Sequence, residues 1–82
     1  MAYQRGRVVR SAAGRDKDKF LAVVGWEEEA VLLADGKERP LERPKRKNVK
    51  HLAATNYLLT EEEMTTNRAL RKALRAFAEQ KP

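Results

Sequence analysis

The chain contains no cysteine, so no disulfide can stabilise its fold and no thiolate can act as a metal ligand or nucleophile. No apolar run approaches the roughly 20 residues that a membrane-spanning helix needs. The first residues are also too strongly charged to be a signal peptide. These absences predict a soluble, cytoplasmic protein.

Groups that commonly perform catalysis are scarce as well. His51 is the single histidine, and the chain has no glycine-rich phosphate-binding motif and no zinc-ligand spacing. A lone histidine beside Val49 and Leu52 is more often packed, or in contact with phosphate, than a general base. The glutamates at 27–29 would occupy a turn, where neighbouring side chains diverge instead of converging on a cation. We therefore expect no enzymatic activity, no cofactor and no bound metal.

Positive charge is what the chain has in excess. Its 82 residues carry 18 Lys and Arg against 12 Asp and Glu, a formal net charge of +6. Residues 1–52 hold 13 of these basic residues and 8 of the acidic ones. A basic excess concentrated in one part of a chain favours a polyanionic partner. With only one Trp, two Tyr and two Phe, contacts to a nucleic-acid backbone are favoured over stacking on single-stranded bases.

Short β-rich segments predict about five strands. They cover 7–11, 20–26, 30–34, a proline-bracketed edge segment at 40–44, and 45–52. The second segment is apolar on both faces, which predicts either a central strand that is buried on both sides or one that curls through a barrel corner at Gly25, with Phe20 and Trp26 in the core. An Asp-Gly pair at 35–36 is a hairpin signal after the third segment. This spacing predicts a mainly β fold, a small barrel whose first and last strands are neighbours.

The C-terminal part has a different character. A capping-box pattern at 60–63 either starts a short turn or belongs to an acidic linker. From residue 66 or 67 to about residue 80, Leu70, Leu74 and Phe77 recur at helical spacing and lie apart from a basic stripe. This amphipathic helix needs a partner surface, in the same chain or in another one. We therefore divide the chain into a β domain at 1–59 and a linker with a helix at 60–82.

Basic residues concentrate in two parts of the β domain that a barrel would bring side by side. Phosphate oxygens favour such a surface, because Lys supplies a point charge and Arg a bidentate fork. Acidic residues look sparse there. This favours phosphate binding over the alternative that the lysines only solvate an exposed strand edge and protect it from pairing with another chain. The candidate RNA-binding residues are Arg7, Arg10, Gly14, Arg15, Lys17, Lys19, Arg43, Lys45, Arg46, Lys47, Lys50 and His51.

Several segments, taken in chain order, match a known pattern. They are Gly6-Arg-Val-Val9, Gly14-Arg-Asp-Lys17, 20–24, 31–36, 43–47 and 49–52, leading to Thr55-Asn56. They resemble the KOW-domain RNA-binding proteins, and most of all small bacterial members similar to a large-subunit ribosomal protein family of archaea and eukaryotes. The resemblance implies an SH3-like barrel that binds structured RNA, with Gly14, Arg15 and Lys17 in the RNA-facing loop. Asp18 departs from the family, in which glycine is usual there. It either repels RNA or pairs with Lys17 or Lys19.

We expect from this resemblance a non-enzymatic protein that binds ribosomal or other structured RNA and acts in translation, with ribosomal proteins as further candidate partners. The alternative is a protein-interaction module that resembles the transcription-elongation KOW domains, in which nucleic-acid affinity is secondary. The RNA itself, the choice between RNA and DNA, permanent or transient ribosome association, the surface that the helix packs on and the oligomeric state stay open.

Overall fold

Five antiparallel strands and a C-terminal helix make up the computed structural model, which describes residues 3–80. The strands are β1 (Arg7–Ser11), β2 (Phe20–Glu27), β3 (Ala30–Ala34), β4 (Lys45–Asn48) and β5 (Leu52–Leu58), and the helix is α1 (Asn67–Gln80). Their order in the sheet is β4-β3-β2-β1-β5. The mainly β class, the number of about five strands, the C-terminal helix and the pairing of the first strand with the last are confirmed.

The sheet is open between β4 and β5, although the arrangement is consistent with a small SH3-like barrel. A short 3₁₀ turn, Val49–His51, separates these two edge strands, and no ladder joins them within the described residues. The side chain of Asn48 accepts a hydrogen bond from the Lys50 N–H at 3.0 Å, which turns the chain out of β4. The prediction of one strand over 45–52 is therefore wrong, because its second half leaves β4 and β5 pairs with β1 instead.

The predicted strand at 40–44 is also absent from the described structure. The Asp35 carboxylate accepts hydrogen bonds from the N–H groups of Lys37 and Arg39, at 2.8 and 2.9 Å. This Asx turn opens a long connection over 35–44, and β3 and β4 still pair antiparallel across it. The Asp-Gly signal thus marks the end of β3 correctly but not a tight hairpin.

Each face of the sheet is buried by its own apolar cluster. On one face Val8 and Ala22 pack with Leu70 and Leu74 of α1. The other face gathers Val9, Leu21, Val23, Val31, Leu33 and Leu52. Successive residues of a strand point to opposite faces, so β2 contributes to both clusters. Burial of the second strand on both sides is thereby confirmed.

A bulge in β2 sends Trp26 away from the face that Phe20 occupies. Val23 lies opposite Leu33, whereas Trp26 lies opposite Val31, so β2 holds one extra residue. One extra residue moves every later side chain to the other face. Trp26 is 47% exposed there, and its indole N–H donates to the Tyr3 carbonyl at 2.6 Å. The prediction of a core Trp26 is therefore wrong.

The helix packs against the sheet of its own chain. Leu70 and Leu74 are buried, and the Phe77 ring meets Phe20 edge-on with 5.1 Å between ring centroids. The Asn67 side chain accepts from the Leu41 N–H at 2.7 Å and ties the start of α1 to the connection at 35–44.

Upstream, Thr60 and Glu63 exchange the two capping-box hydrogen bonds, which confirms the short turn. No helix in the described part of the chain is long and apolar enough to cross a membrane.

Candidate nucleic-acid interface

The connection between β1 and β2, residues 12–19, forms a compact loop with its own hydrogen bonds. The N–H groups of Lys17, Asp18 and Lys19 donate to backbone carbonyls of Gly14, Ser11 and Asp16, at 3.2, 2.8 and 2.9 Å. Gly14 has φ +82°, a conformation that suits glycine. We call this segment the β1–β2 loop. These three N–H groups are already used, so they are not available to a phosphate.

Asp18 occupies a backbone conformation that explains the glycine usual at this position in KOW domains. Its φ is +71°, in the left-handed region that few residues other than glycine, asparagine and aspartate adopt readily. Its carboxylate pairs with Arg10 across the start of the hairpin at 2.7 Å. Of the two alternatives for Asp18, the pairing is thus made with Arg10 and not with Lys17 or Lys19, and repulsion of RNA stays a prediction.

Two lysines of β4 hold the β1–β2 loop in place from the inside. Lys45 lies opposite Leu33 and Lys47 opposite Val31. Both side chains therefore share the face of the sheet on which the buried cluster that contains Leu33 and Val31 lies. The Lys47 ammonium donates to the Ser11 hydroxyl at 2.6 Å and to the Ala13 carbonyl at 2.8 Å. The Lys45 ammonium pairs with the buried Asp16 carboxylate at 2.6 Å. These contacts bind the loop to β4 across the open side of the sheet.

The Asp16 carboxyl is held ionised by this arrangement. Its hydrogen bond from Lys45 lowers the pKa below the ordinary value of 3.8, and burial opposes that shift. The positive charges of Lys45, Arg39 and Lys47 lower the pKa further. Asp16 thus remains an anion that anchors the loop throughout the neutral range.

Acidic partners occupy several of the other candidate cations. Lys19 pairs with Glu38 at 2.8 Å, and each group shifts the pKa of the other, that of Lys19 upward and that of Glu38 downward. Arg46 lies on the opposite face of β4 from Lys45 and pairs with Glu27 at 3.2 Å. The expectation that acids are sparse in this region is therefore wrong, because chain reversals bring acids from β2 and from 35–44 to these cations.

Four candidate side chains remain together at the loop end of the sheet. Leu52 pairs with Ser11, and the Ala12 N–H donates to the His51 carbonyl at 2.9 Å, so the 3₁₀ turn lies beside the β1–β2 loop. Within residues 3–80 these side chains are exposed and form no ion pair. We call them the loop surface: Arg15, Lys17, Lys50 and His51.

The remaining candidates lie elsewhere. Arg43 is exposed in the connection at 35–44, which Lys19 and Glu38 tie to the loop. Arg7 starts β1 at the far end from the loop and donates to the Gln4 side chain at 3.1 Å.

Arg39 lines a depression with Arg15, Asp16, Lys19 and Glu38, and its buried Nε finds no hydrogen-bond acceptor among the described residues. Sequence pattern gave Arg39 no separate role, since only the fold brings it beside Asp16.

Comparison with known proteins adds no assignment to this geometry. No protein-family model matches the chain, and no curated protein matches it at a significant level. The KOW resemblance thus rests on the residues quoted above and stays a prediction.

Proposed function

We propose that the protein is a non-enzymatic, KOW-type RNA-binding domain whose loop surface contacts the phosphate backbone of structured RNA. One observation carries the proposal. Within residues 3–80, Arg15 and Lys17 are exposed and have no acidic partner, and contacts from Lys45 and Lys47 hold the loop that carries them. Exposed cations without counterions are the groups that gain most from a phosphate.

The fixed position of the loop supports this proposal. A loop that is already ordered loses little conformational freedom when a ligand binds, so more of each contact appears as affinity. Lys45 and Lys47 supply that order, and they differ in role from Arg15 and Lys17. The first pair positions the loop, and the second pair contacts RNA.

The aromatic residues favour a base-paired RNA over a single strand. Trp26 lies at the other end of β2, about 20 Å from Lys19 at the usual rise of a strand. The Phe77 ring packs on Phe20 and lies 5.2 Å from Tyr57. No aromatic residue of the described chain lines the depression beside Arg15. The three cations of the loop surface, Arg15, Lys17 and Lys50, suit the backbone of an A-form duplex. The KOW resemblance extends the proposal to ribosomal RNA and to a place on the ribosome.

A matched pair of arginine substitutions tests the loop surface. Arg15→Gln removes an unpaired cation of the loop, whereas Arg46→Gln makes the same chemical change at a paired cation on the outer face of β4. Affinity for a 20-base-pair RNA duplex is measured over a salt series. Arg15→Gln should flatten the slope of log K against log salt by about 0.7–0.9, and Arg46→Gln should leave it unchanged. Equal losses from both variants would mean that only net charge matters and would remove the loop as the site.

The exposed Trp26 favours a second candidate function, a protein-docking module. Trp26, Tyr3, Ala30, Val31 and Val49 line a mostly apolar depression of about 330 Å³, rimmed by glutamates 28 and 29. Exposed tryptophans are frequent binding hot spots. Co-sedimentation with ribosomes from its own cell separates the two functions. Loss with Arg15→Gln but not with Trp26→Ser supports RNA binding, and the reverse supports docking.

A further inference from the structure

The solvent face of α1 carries a dense group of cations that the β1–β2 loop does not share. We call it the helix stripe: Arg68, Arg71, Lys72 and Arg75. All four are exposed, and their spacing of three and four residues places them on one face of the helix. Within residues 3–80 the first three form no ion pair, and Arg75 makes one exposed pair with Glu79 at 3.5 Å.

The stripe is electrostatically unfavourable for the isolated helix. Like charges three and four residues apart repel and weaken a helix. The burial of Leu70 and Leu74 and the Thr66 hydroxyl, which accepts from the Ala69 N–H at 3.0 Å, hold α1 in place despite this repulsion. A depression of about 330 Å³ on this face is lined by the four cations alone. Within residues 3–80, Arg68, Arg71 and Lys72 lack a counterion, and a polyanion would supply it.

The stripe is separate from the loop surface. The groove between α1 and the sheet is lined by Arg71 and Arg75 on the helix side, and on the other side by three carboxylates, Asp18, Asp35 and Glu38, together with Lys19 and Lys37. The three carboxylates outnumber the two lysines there and lower the positive charge between the two basic surfaces. A phosphate chain would therefore meet two separate positive surfaces and not a continuous track.

The packing of α1 also excludes insertion of its apolar face into a membrane. A basic amphipathic helix binds lipid by inserting its apolar face. Here that face is already in contact with the sheet, through Leu70, Leu74 and Phe77. Only the cationic face remains available, and it suits a ligand that offers negative charge without apolar surface.

We infer that α1 forms a second RNA-backbone contact, independent of the loop surface, so that one folded RNA meets the domain at two places. This inference rests on the proposed function. The helix is rigidly attached to the sheet, so the two surfaces keep a fixed separation. Structured RNA, in which two phosphate strands lie at a fixed distance, fits this geometry better than a flexible single strand.

Two double variants separate the inference from the proposed function. Arg68→Gln with Lys72→Gln removes half of the helix stripe, and glutamine keeps the helix propensity of the residues it replaces. Arg15→Gln with Lys17→Gln does the same at the loop surface. Each double variant should flatten the salt slope for a 20-base-pair RNA duplex by about 1.4–1.8, so the parent's advantage over it shrinks about tenfold between 50 and 200 mM salt. Circular dichroism checks that α1 is intact, and Arg68→Lys with Arg71→Lys should retain the parent slope.

The outcomes are distinct. Losses from both double variants support the inference. A loss from the loop variant alone overturns it and leaves the proposed function standing, with the stripe assigned to a solvated face or an acidic protein. A loss from the helix variant alone supports the stripe and removes the loop surface as the site. If the parent fails to bind duplex RNA in low salt, the proposed function and the inference fail together.

Discussion

At the scale of single residues, Lys47 illustrates how a basic side chain can serve the fold instead of a ligand. Its ammonium joins β4 to the Ser11 hydroxyl and the Ala13 carbonyl. Ser11 is fully buried, so loss of the lysine leaves it with fewer partners away from water. Reversing the charge of 45–47 as a block would therefore release the loop as well as change its charge, and it does not isolate an RNA contact.

We expect Lys47→Met to destabilise the protein and Lys50→Met to leave it nearly unchanged. Methionine keeps the length of the side chain, so Lys47→Met chiefly removes the charged donor, at about 1–3 kcal/mol. Lys50 is exposed and its side chain makes no hydrogen bond among the described residues, so its replacement should stay within about 0.5 kcal/mol. Urea unfolding of both variants measures the difference. Equal stability would show that the inward contact of Lys47 contributes nothing.

Asp18 combines an unfavourable backbone conformation with a charge that opposes RNA. Glycine relieves the left-handed strain, but it also loosens the unfolded chain and loses the exposed pair with Arg10. These effects nearly cancel, so Asp18→Gly should change stability by less than about 1 kcal/mol. RNA affinity should rise, because one carboxylate leaves the site and Arg10 becomes free.

Asp18→Asn serves as the control for this prediction, because asparagine tolerates the same backbone conformation without the charge. Both variants should tighten binding to duplex RNA at one fixed salt concentration. If Asp18→Asn weakens binding, the pair with Arg10 orders the site and charge repulsion is not the dominant effect.

Asp16 should make part of the stability depend on pH. Its pKa is lowered in the folded protein, so the unfolded state binds the proton more strongly. The contribution of the Lys45 pair is therefore complete above the ordinary value of 3.8 and is lost as the pH falls below it. Asp16→Asn should cost about 1–3 kcal/mol at pH 7. In acid unfolding curves the gap between parent and variant should shrink as the pH falls below 3.8. A gap that does not vary with pH would show that the pair contributes no stability.

At the scale of elements, the turn after β3 fixes how closely α1 approaches the sheet. Gly36 has φ +81°, almost the same as the +82° of Gly14, but the surroundings differ. A Cβ at Gly36 would overlap the Asn67 carbonyl oxygen and lie 3.0 Å from the Arg71 nitrogen. A Cβ at Gly14 would meet only the Lys47 ammonium, at 3.8 Å. Both positions therefore have the left-handed backbone conformation, but only at Gly36 would an added Cβ overlap the backbone of α1.

Gly36→Ala should therefore destabilise the protein more than Gly14→Ala. Both substitutions incur the left-handed penalty of about 1–2 kcal/mol. Gly36→Ala adds about 1–3 kcal/mol, because α1 must shift to make room. Chemical denaturation of the two variants gives the difference directly. Similar costs would mean that α1 moves aside freely and is not fixed against this turn.

The elements that sequence pattern predicted well are those with a clear local signal. The β-rich composition of β1 and β2 and the helical spacing of the apolar residues of α1 depend on neighbours in the chain. All three elements appear at their expected places. The division between β4 and β5 depends on one side-chain hydrogen bond at Asn48, and the exposure of Trp26 depends on one extra residue in β2. Neither feature changes the hydrophobic periodicity of the sequence, so a prediction from periodicity was wrong about both.

At the scale of the whole molecule, net charge predicted a basic surface but not which cations compose it. A count of residues cannot show that Glu38 reaches Lys19 or that Asp16 lies beneath Lys45. Ion pairs and hydrogen bonds of the folded chain already occupy several cations, which are therefore less available to RNA. They are Arg10, Lys19, Lys45, Arg46 and Lys47. The fold also leaves Arg68, Arg71 and Lys72 of the helix stripe without an ion pair among residues 3–80.

The single tryptophan offers a way to test the orientation of the whole domain on its ligand. Trp26 lies at the opposite end of β2 from the β1–β2 loop, beside glutamates 28 and 29, which repel phosphate. Saturating duplex RNA should therefore leave its fluorescence nearly unchanged, while a label attached at residue 50 through Lys50→Cys should respond. Unfolding in urea, which frees Trp26 from its hydrogen bond to Tyr3, confirms that the indole reports its surroundings. Strong quenching of Trp26 by RNA, together with a silent label, would place the RNA at the acidic end of the sheet. The loop surface would then be solvent-facing, and the exposed indole would be a stacking platform.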